Sequence, residues 1–155
     1  MLIRRATEND IPKINDLLLQ VLEVHHKGRP DIFKGNTKKY TDSELLEIIA
    51  DDNRPIFVAE VDGEVLGYAF CIFQRNINNN ILTDIKTLYI DDLCVDESKR
   101  GLHIGSALYD FCIEFAKASG CYNLTLNVWS CNQSALKFYE SKGLKPQKIG
   151  MEKIL

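Results

Sequence analysis

Residues 89–118 read YIDDLCVDESKRGLHIGSALYDFCIEFAKA, and three segments of different physical character follow one another in them. Lys86 to Val95 is a short apolar run carrying two carboxylates, Asp91 and Asp92, and reads as a strand. Asp96 to His103 is a charged, glycine-containing turn. Ile104 to Ala118 is amphipathic and reads as a helix that ends at Gly120. A buried strand feeding a helix through a tight turn is the unit from which sheets covered by helices are built.

Working outward, Leu2 to Arg5 predicts a first strand, and Thr7 with Asp10 approximates a capping signal ahead of Pro12 in a first helical turn. Ile11, Ile14, Leu17, Leu18, Val21 and Leu22 then recur at threes and fours, one buried helical face. His25 to Tyr40 holds Gly28, Pro30 and Gly35 without periodicity and reads as a loop. Thr41 and Glu44 form a capping box for a second helix ending near Asp52 and Asn53. From Pro55 the period becomes that of strands. Two runs, Ile56 to Val61 and Val65 to Phe73, flank Asp62-Gly63, a dipeptide suited to a tight hairpin turn. Beyond the central unit, Leu124 to Val128 reads as a strand and Asn132 caps a helix that stops at Gly143. Leu144 to Leu155 is expected to supply one or two closing strands. The order predicts an α/β (α+β mixed sheet) class in a single domain over 1–155: a central mixed sheet of about six to seven strands flanked by four helices.

The 155 residues are 45% hydrophobic and 26% charged, the composition of a chain that folds, with a formal net charge of -3 that gives no overall pull toward nucleic acid or an anionic membrane. Five cysteines, Cys71, Cys94, Cys112, Cys121 and Cys131, are odd in number, lack C-x-x-C spacing and read as reduced. Met1 to Arg5 leads into no long apolar stretch, so the expected location is cytoplasmic, without a membrane span.

Chemistry concentrates at the turn. The start of a helix presents unpaired backbone amides at the positive end of its dipole, and Lys99 and Arg100 stand beside them, an arrangement suited to a phosphate or pyrophosphate. A plain strand-to-helix turn with a solvated charge pair accounts for the same composition. Neither G-x-x-x-x-G-K-[ST] nor G-x-G-x-x-G is present.

Here the chain resembles the GNAT acetyltransferase superfamily. Arg100-Gly101-Leu102-His103-Ile104-Gly105-Ser106 is similar to that family's R-x-x-G-x-G acetyl-CoA loop, and Asn132 to Leu144, with Ala135, Phe138, Tyr139 and Gly143, is similar to its N-x-x-A-x-x-F-Y-x-x-x-G-F element. The resemblance covers essentially the whole chain. It implies acetyl-CoA as co-substrate and no metal. Backbone amides of Leu102 to Ser106 would hold the pyrophosphate, and Leu93, Cys94 and Val95 would bind the pantetheine arm and polarise the acetyl carbonyl. Asn132 caps its helix and, by resemblance, contacts the cofactor. One residue departs: His103 stands where the family has the first glycine of the loop. It is expected to sit there without strain, either touching a phosphate or exposed.

Acetylating an amine requires a neutral amine and a protonated leaving thiol. The resemblance makes Tyr139 the acid for the thiolate; beside Phe138 it also reads as a buried aromatic. An alkyl amine is neutral in only about one molecule in a few thousand at pH 7, so a base is useful, and Asp92 and Asp91 are the candidates. Strand alternation sends them to opposite faces unless a bulge intervenes. His26, Arg29, Asp31 and Phe33 lie in the variable region between the first two helices and, with Trp129, are candidate acceptor contacts; a solvated loop and a core tryptophan are the alternatives. The adjacent histidines lack further ligands at metal spacing. The expected activity is acetyl transfer to a primary amine of a small molecule, polyamine-like or another metabolite amine, with protein N-termini or lysines as other acceptors and a non-catalytic acyl-CoA sensor as the rival class. A homodimer is compatible with the fold but carries no sequence signature.

Overall fold

The computed structural model describes residues 1–155. Five strands, β1 (Leu2–Arg5), β2 (Ile56–Val61), β3 (Glu64–Gln74), β4 (Thr87–Val95) and β5 (Asn123–Leu126), and four helices, α1 (Ile11–Gly28), α2 (Asp42–Ala50), α3 (Ile104–Ala118) and α4 (Gln133–Ser141), make up the fold, with short 3-10 turns at Glu8–Asp10 and Glu97–Lys99. The strands lie side by side in chain order. β1 to β4 are antiparallel neighbours and β5 runs parallel to β4, so the sheet is mixed. Helix α3 is the crossover that a parallel pair requires.

Five strands form where six to seven were expected, because Leu144 to Leu155 builds none. Pro146 has no amide to donate and Gly150 no side chain to pack, and from Lys145 onward every residue is exposed, so nothing repays ordering this segment against the sheet. Helix α1 also runs further than the loop reading of His25 to Tyr40 allowed, carrying His25 and His26 on its last turn.

Local signals operate as their chemistry dictates. The Thr41 hydroxyl accepts from the Glu44 amide at 3.1 Å while Glu44 accepts from the Thr41 amide at 2.7 Å. Asp62 and Gly63 both take positive φ, 51° and 82°, the geometry of a two-residue hairpin turn. Arg4 on β1 donates to both oxygens of buried Asp10, at 2.8 and 2.9 Å, which fixes the entry to α1.

The sheet separates two cores. On one face α1 and α2 bury Ile14, Leu17 and Leu45 against Val58, Tyr68, Phe70 and Cys94. On the other, α3 buries Ile104, Leu108 and Cys112 against Phe57, Ala69, Leu88 and Ile90, with Phe138 and Tyr139 of α4 packed alongside. Close approach of α3 depends on Gly67, where a Cβ would lie 2.8 Å from the Cys94 carbonyl oxygen and 3.1 Å from Leu108 Cδ1. No buried side-chain nitrogen or oxygen lacks a hydrogen-bond partner, and all five cysteines are free. No helix is long and apolar enough to cross a membrane.

Two irregularities in β4 shape the rest of the molecule. Its register to β3 pairs Phe70 with Asp92 but Cys71 with Ile90, leaving Asp91 as an extra residue, a β-bulge. Its pairing with β5 extends only from Thr87–Asn123 to Ile90–Leu126, so the two strands part beyond that point.

Candidate active site

Past Ile90, the side of β4 that faced β5 has no strand partner. The amide of Asp96 donates to Leu66 O on the β3 side at 2.8 Å. By alternation the amides of Leu93 and Val95 turn the other way, into the open seam. Their side chains pack toward α3. Cys94 points to the opposite face, its thiol donating to Leu17 O at 3.5 Å. Burial, reinforced by the Asp92 charge, pushes the Cys94 thiol up to about 12, so it is a packing group and not a thiolate nucleophile.

Asp96 ends the strand and organises the turn beyond it. Its carboxylate accepts from the Ser98 amide at 3.0 Å and the Ser98 hydroxyl at 2.7 Å, and pairs with Lys13 of α1. These bonds, Lys13 first, hold it at about 2. The chain then passes through exposed Arg100, Gly101 and Leu102 to His103, the residue before α3. The first helical bond runs from the Ala107 amide to His103 O at 3.0 Å, so the amides of Ile104, Gly105 and Ser106 have no partner within the helix. Ile104 offers only its backbone, its side chain being buried in the α3 core. Gly105 sits against the seam, where a Cβ would meet Val95 Cγ2 at 3.5 Å and Phe138 Cζ at 3.8 Å.

His103 adopts φ 58° and ψ 17°, the left-handed region, and its side chain is exposed without capping the helix. The expectation of an unstrained histidine is therefore corrected. The turn demands a conformation that glycine takes freely and that costs an L-residue about 1 kcal/mol.

The bulge decides which face of the sheet the two carboxylates take. Ile90 and Leu88 face α3, as Leu93 and Val95 do, and the extra residue between them puts Asp91 and Asp92 together on the α1/α2 face. Asp91 Oδ2 accepts from Lys39 Nζ at 3.1 Å. Asp92 Oδ2 accepts from the Tyr68 hydroxyl at 3.0 Å. Burial raises Asp92 to about 6 against the opposing influence of Lys39 and Tyr68. Burial alone would lower Lys39, but the charges of Asp92 and Asp91 outweigh it and hold the ammonium above its usual range. Tyr68 is raised well above a normal phenol, by burial first and then by Asp92, and stays a donor.

Tyr139, on α4, packs against the α3 core, its ring 5.0 Å from Phe138 and 6.2 Å from Tyr109. Burial, followed by the Asp92 charge, raises its phenol above the ordinary value, so it is protonated at neutral pH. Lys142 anchors this helix by donating to both oxygens of Asp110 on α3, at 2.9 and 3.0 Å. Asn132 accepts from the Ala135 amide at 3.2 Å, the N-cap geometry its sequence position called for.

The region after α1 packs against the segment that follows β5. Phe33 stacks between His25, at 5.0 Å, and Trp129, edge-on at 5.1 Å. Trp129 is 41% exposed and so lies outside the core. His26 Nδ1 is 2.7 Å from Phe33 O, and its ring fills the space where Gly35 would carry a Cβ, so His26 orders the loop. Arg29 and Asp31 pair with each other at 3.0 and 2.8 Å, and Arg29 also reaches Glu152 of the terminal segment. Gly28 abuts Cys131, whose Sγ would lie 2.6 Å from a Cβ there. Burial and the nearby Lys39 charge lower His25, leaving it neutral at pH 7.

Sequence reading missed Lys39 and Tyr68. Tyr68 gives no sequence signal, being one strand residue among many, and Lys39 is hidden in the run Lys38-Lys39-Tyr40. The residues present fit a pyrophosphate-bearing thioester: unpaired amides at the start of α3, an open approach at Gly101, where nothing lies within 4 Å of a Cβ, and outward amides on β4. No group of three or more His, Cys, Asp or Glu side chains converges to hold a metal ion.

Residues 20–144 match the model of the Acetyltransferase (GNAT) family. An N-acetyltransferase of Methanocaldococcus jannaschii, itself uncharacterised, is 28% identical over 149 residues; the match takes in 95% of this chain and 62% of that protein, so the chain spans under two thirds of its length. Glucosamine 6-phosphate N-acetyltransferase of Arabidopsis thaliana is 32% identical over 116 residues, 75% of this chain and 68% of that one. Among solved structures, a tetramutant of the BH1408 protein from Bacillus halodurans is 33% identical and superimposes with a TM-score of 0.95 over 100% of both chains.

Proposed function

The chain belongs to the GNAT acetyltransferase family, and on that premise we propose that it transfers the acetyl group of acetyl-CoA to a primary amine of a small molecule. The observation that carries this reading is the parting of β4 from β5. Outward amides of β4 and the start of α3 border that gap, while the two carboxylates lie on the α1/α2 face of β4 and the protonated phenol on α4.

Each group then has one task. The first-turn amides of α3, with Arg100 beside them, hold the pyrophosphate of acetyl-CoA, which brings an activated thioester to the seam. Amides of Leu93 and Val95 donate to the acetyl oxygen as negative charge gathers on it. Asp92, whose value of about 6 leaves it ionised yet basic at neutral pH, takes a proton from the acceptor ammonium, and the neutral amine so formed attacks the thioester carbon; the second proton that nitrogen sheds on becoming an amide replaces the one the departing sulfur takes up. Tyr139 gives a proton to the departing sulfur. Its raised value makes it a weak acid, so its help sits at the modest end of the roughly 10²–10⁴ expected for general acids. Phe33 and Trp129 wall the acceptor side, and His26, Arg29 and Asp31 act by ordering that wall.

The test is thiol release from acetyl-CoA across a panel of small amines, polyamines, aminoglycosides and peptides. Acceleration by a small amine supports the proposal. Binding of acetyl-CoA with no stimulation by any acceptor would replace it with the sensor reading.

A further inference from the structure

A cleft of about 600 Å³ opens on the α1/α2 face beside the seam, a size suited to a small metabolite. Its floor is Thr87 and Tyr89 of β4 and Thr125 of β5, with Gln74 and Asn127 at its sides. Asn127 Nδ2 donates to the Tyr89 hydroxyl at 3.2 Å and fixes that floor. Tyr89 precedes Asp91 by two residues on one strand, a step of about 6–7 Å, so a molecule lying in the cleft can deliver an amine to the Asp91–Asp92 pair.

The charges of this region are uneven. Two carboxylates face the amine position, and the Lys39 ammonium, 3.1 Å from Asp91, is bound to one of them. One negative charge is left for an incoming ammonium. No carboxylate lines the cleft, and its single charged side chain, Lys148, is a cation. A polyamine would bring a second ammonium into a cleft whose lining is neutral apart from the Lys148 cation, with nothing there to neutralise it.

We propose that Lys39 is a specificity-determining residue of the acceptor site: by occupying Asp91 it restricts the enzyme to acceptors that carry one amine on a hydroxylated, uncharged or anionic body, and excludes polyamines. This rests on the acetyl-transfer reading and narrows its acceptor class. The Lys39 ammonium is paired with the carboxylate that a second ammonium would otherwise use. Replacing it frees Asp91 and should admit that cation.

The experiment compares glucosamine with putrescine as acceptors for the wild type, Lys39→Met and Lys39→Arg, by thiol release and by calorimetric titration of each amine. Glucosamine should be preferred by the wild type. Lys39→Met should shift the ratio of kcat/KM values toward putrescine by about tenfold or more, mainly through KM, the effect of one ion pair worth a decade in affinity. Lys39→Arg keeps the charge and should keep the ratio. A wild type that prefers putrescine, or a ratio unmoved in Lys39→Met, overturns the inference and leaves acetyl transfer standing. If no amine drives thiol release, acetyl transfer falls, and the titration ratios decide the charge preference alone.

Discussion

Asp92 couples stability to activity, and Asp92→Asn measures both. Burial raises its carboxyl from 3.8 to about 6 despite Tyr68 and Lys39, so ionising it in the folded chain is unfavourable. Two units at about 1.4 kcal/mol each put the cost at ~3 kcal/mol at pH 7. The sign follows from proton binding. Between the two values the folded chain holds the proton more tightly than the unfolded chain, so this group lowers stability as pH rises through that window, and the loss levels off above about 6. An asparagine has nothing to ionise. The difference in urea unfolding free energy, variant minus wild type, should therefore grow by about 2 kcal/mol between about pH 4 and pH 7. Any constant offset from the new amide's hydrogen bonding leaves that slope unchanged. In thiol-release assays the same substitution should lower kcat/KM by about 10². Unfolding curves whose difference is flat with pH would refute the raised carboxyl. Retained activity with a proper slope would move the base role to Asp91.

Tyr139→Phe should lower kcat by about tenfold to a hundredfold while acetyl-CoA affinity, read by calorimetry, stays within about twofold; an unchanged kcat removes the phenol from proton transfer. His103→Gly should relieve the left-handed backbone and raise stability by ~0.5–1 kcal/mol, about 2–3 °C in Tm, with acetyl-CoA binding preserved; a lower Tm would mean the imidazole makes a stabilising contact. Gly67→Ala places a Cβ 2.8 Å from a backbone oxygen and should cost about 1–3 kcal/mol in urea unfolding, whereas Gly63→Ala meets no atom within 4 Å and pays only for its positive φ.

Much of the fold was legible because its signals are local. The Thr41–Glu44 box, the Asp62-Gly63 turn, the Asn132 cap and the αL position of Gly143 each involve residues within a few positions of one another, and each is found where its chemistry requires. Helix α1 overran its expected end, and its last residue, Gly28, lies against Cys131 from a distant segment of the chain, a contact no local signal announces. The terminal segment misled for the opposite reason: its apolar residues suit a strand, but whether a strand forms depends on a partner edge.

The same division runs through the active site. The strand, turn and helix of residues 89–118, and the second motif ending at Leu144, were enough to specify the kind of cofactor chemistry, since amides at a helix start and a phenol at a fixed spacing are properties of short segments. Only the tertiary structure decided how the carboxylates are arranged. A bulge that no spacing announces turned Asp91 and Asp92 to one face, β5 stopped short to open the seam, and Lys39 reached Asp91 from 52 residues away. Charge and desolvation act through space, so the burial that raises Asp92, and the Lys39 charge and Tyr68 hydroxyl that oppose it, are settled only when the sheet is built.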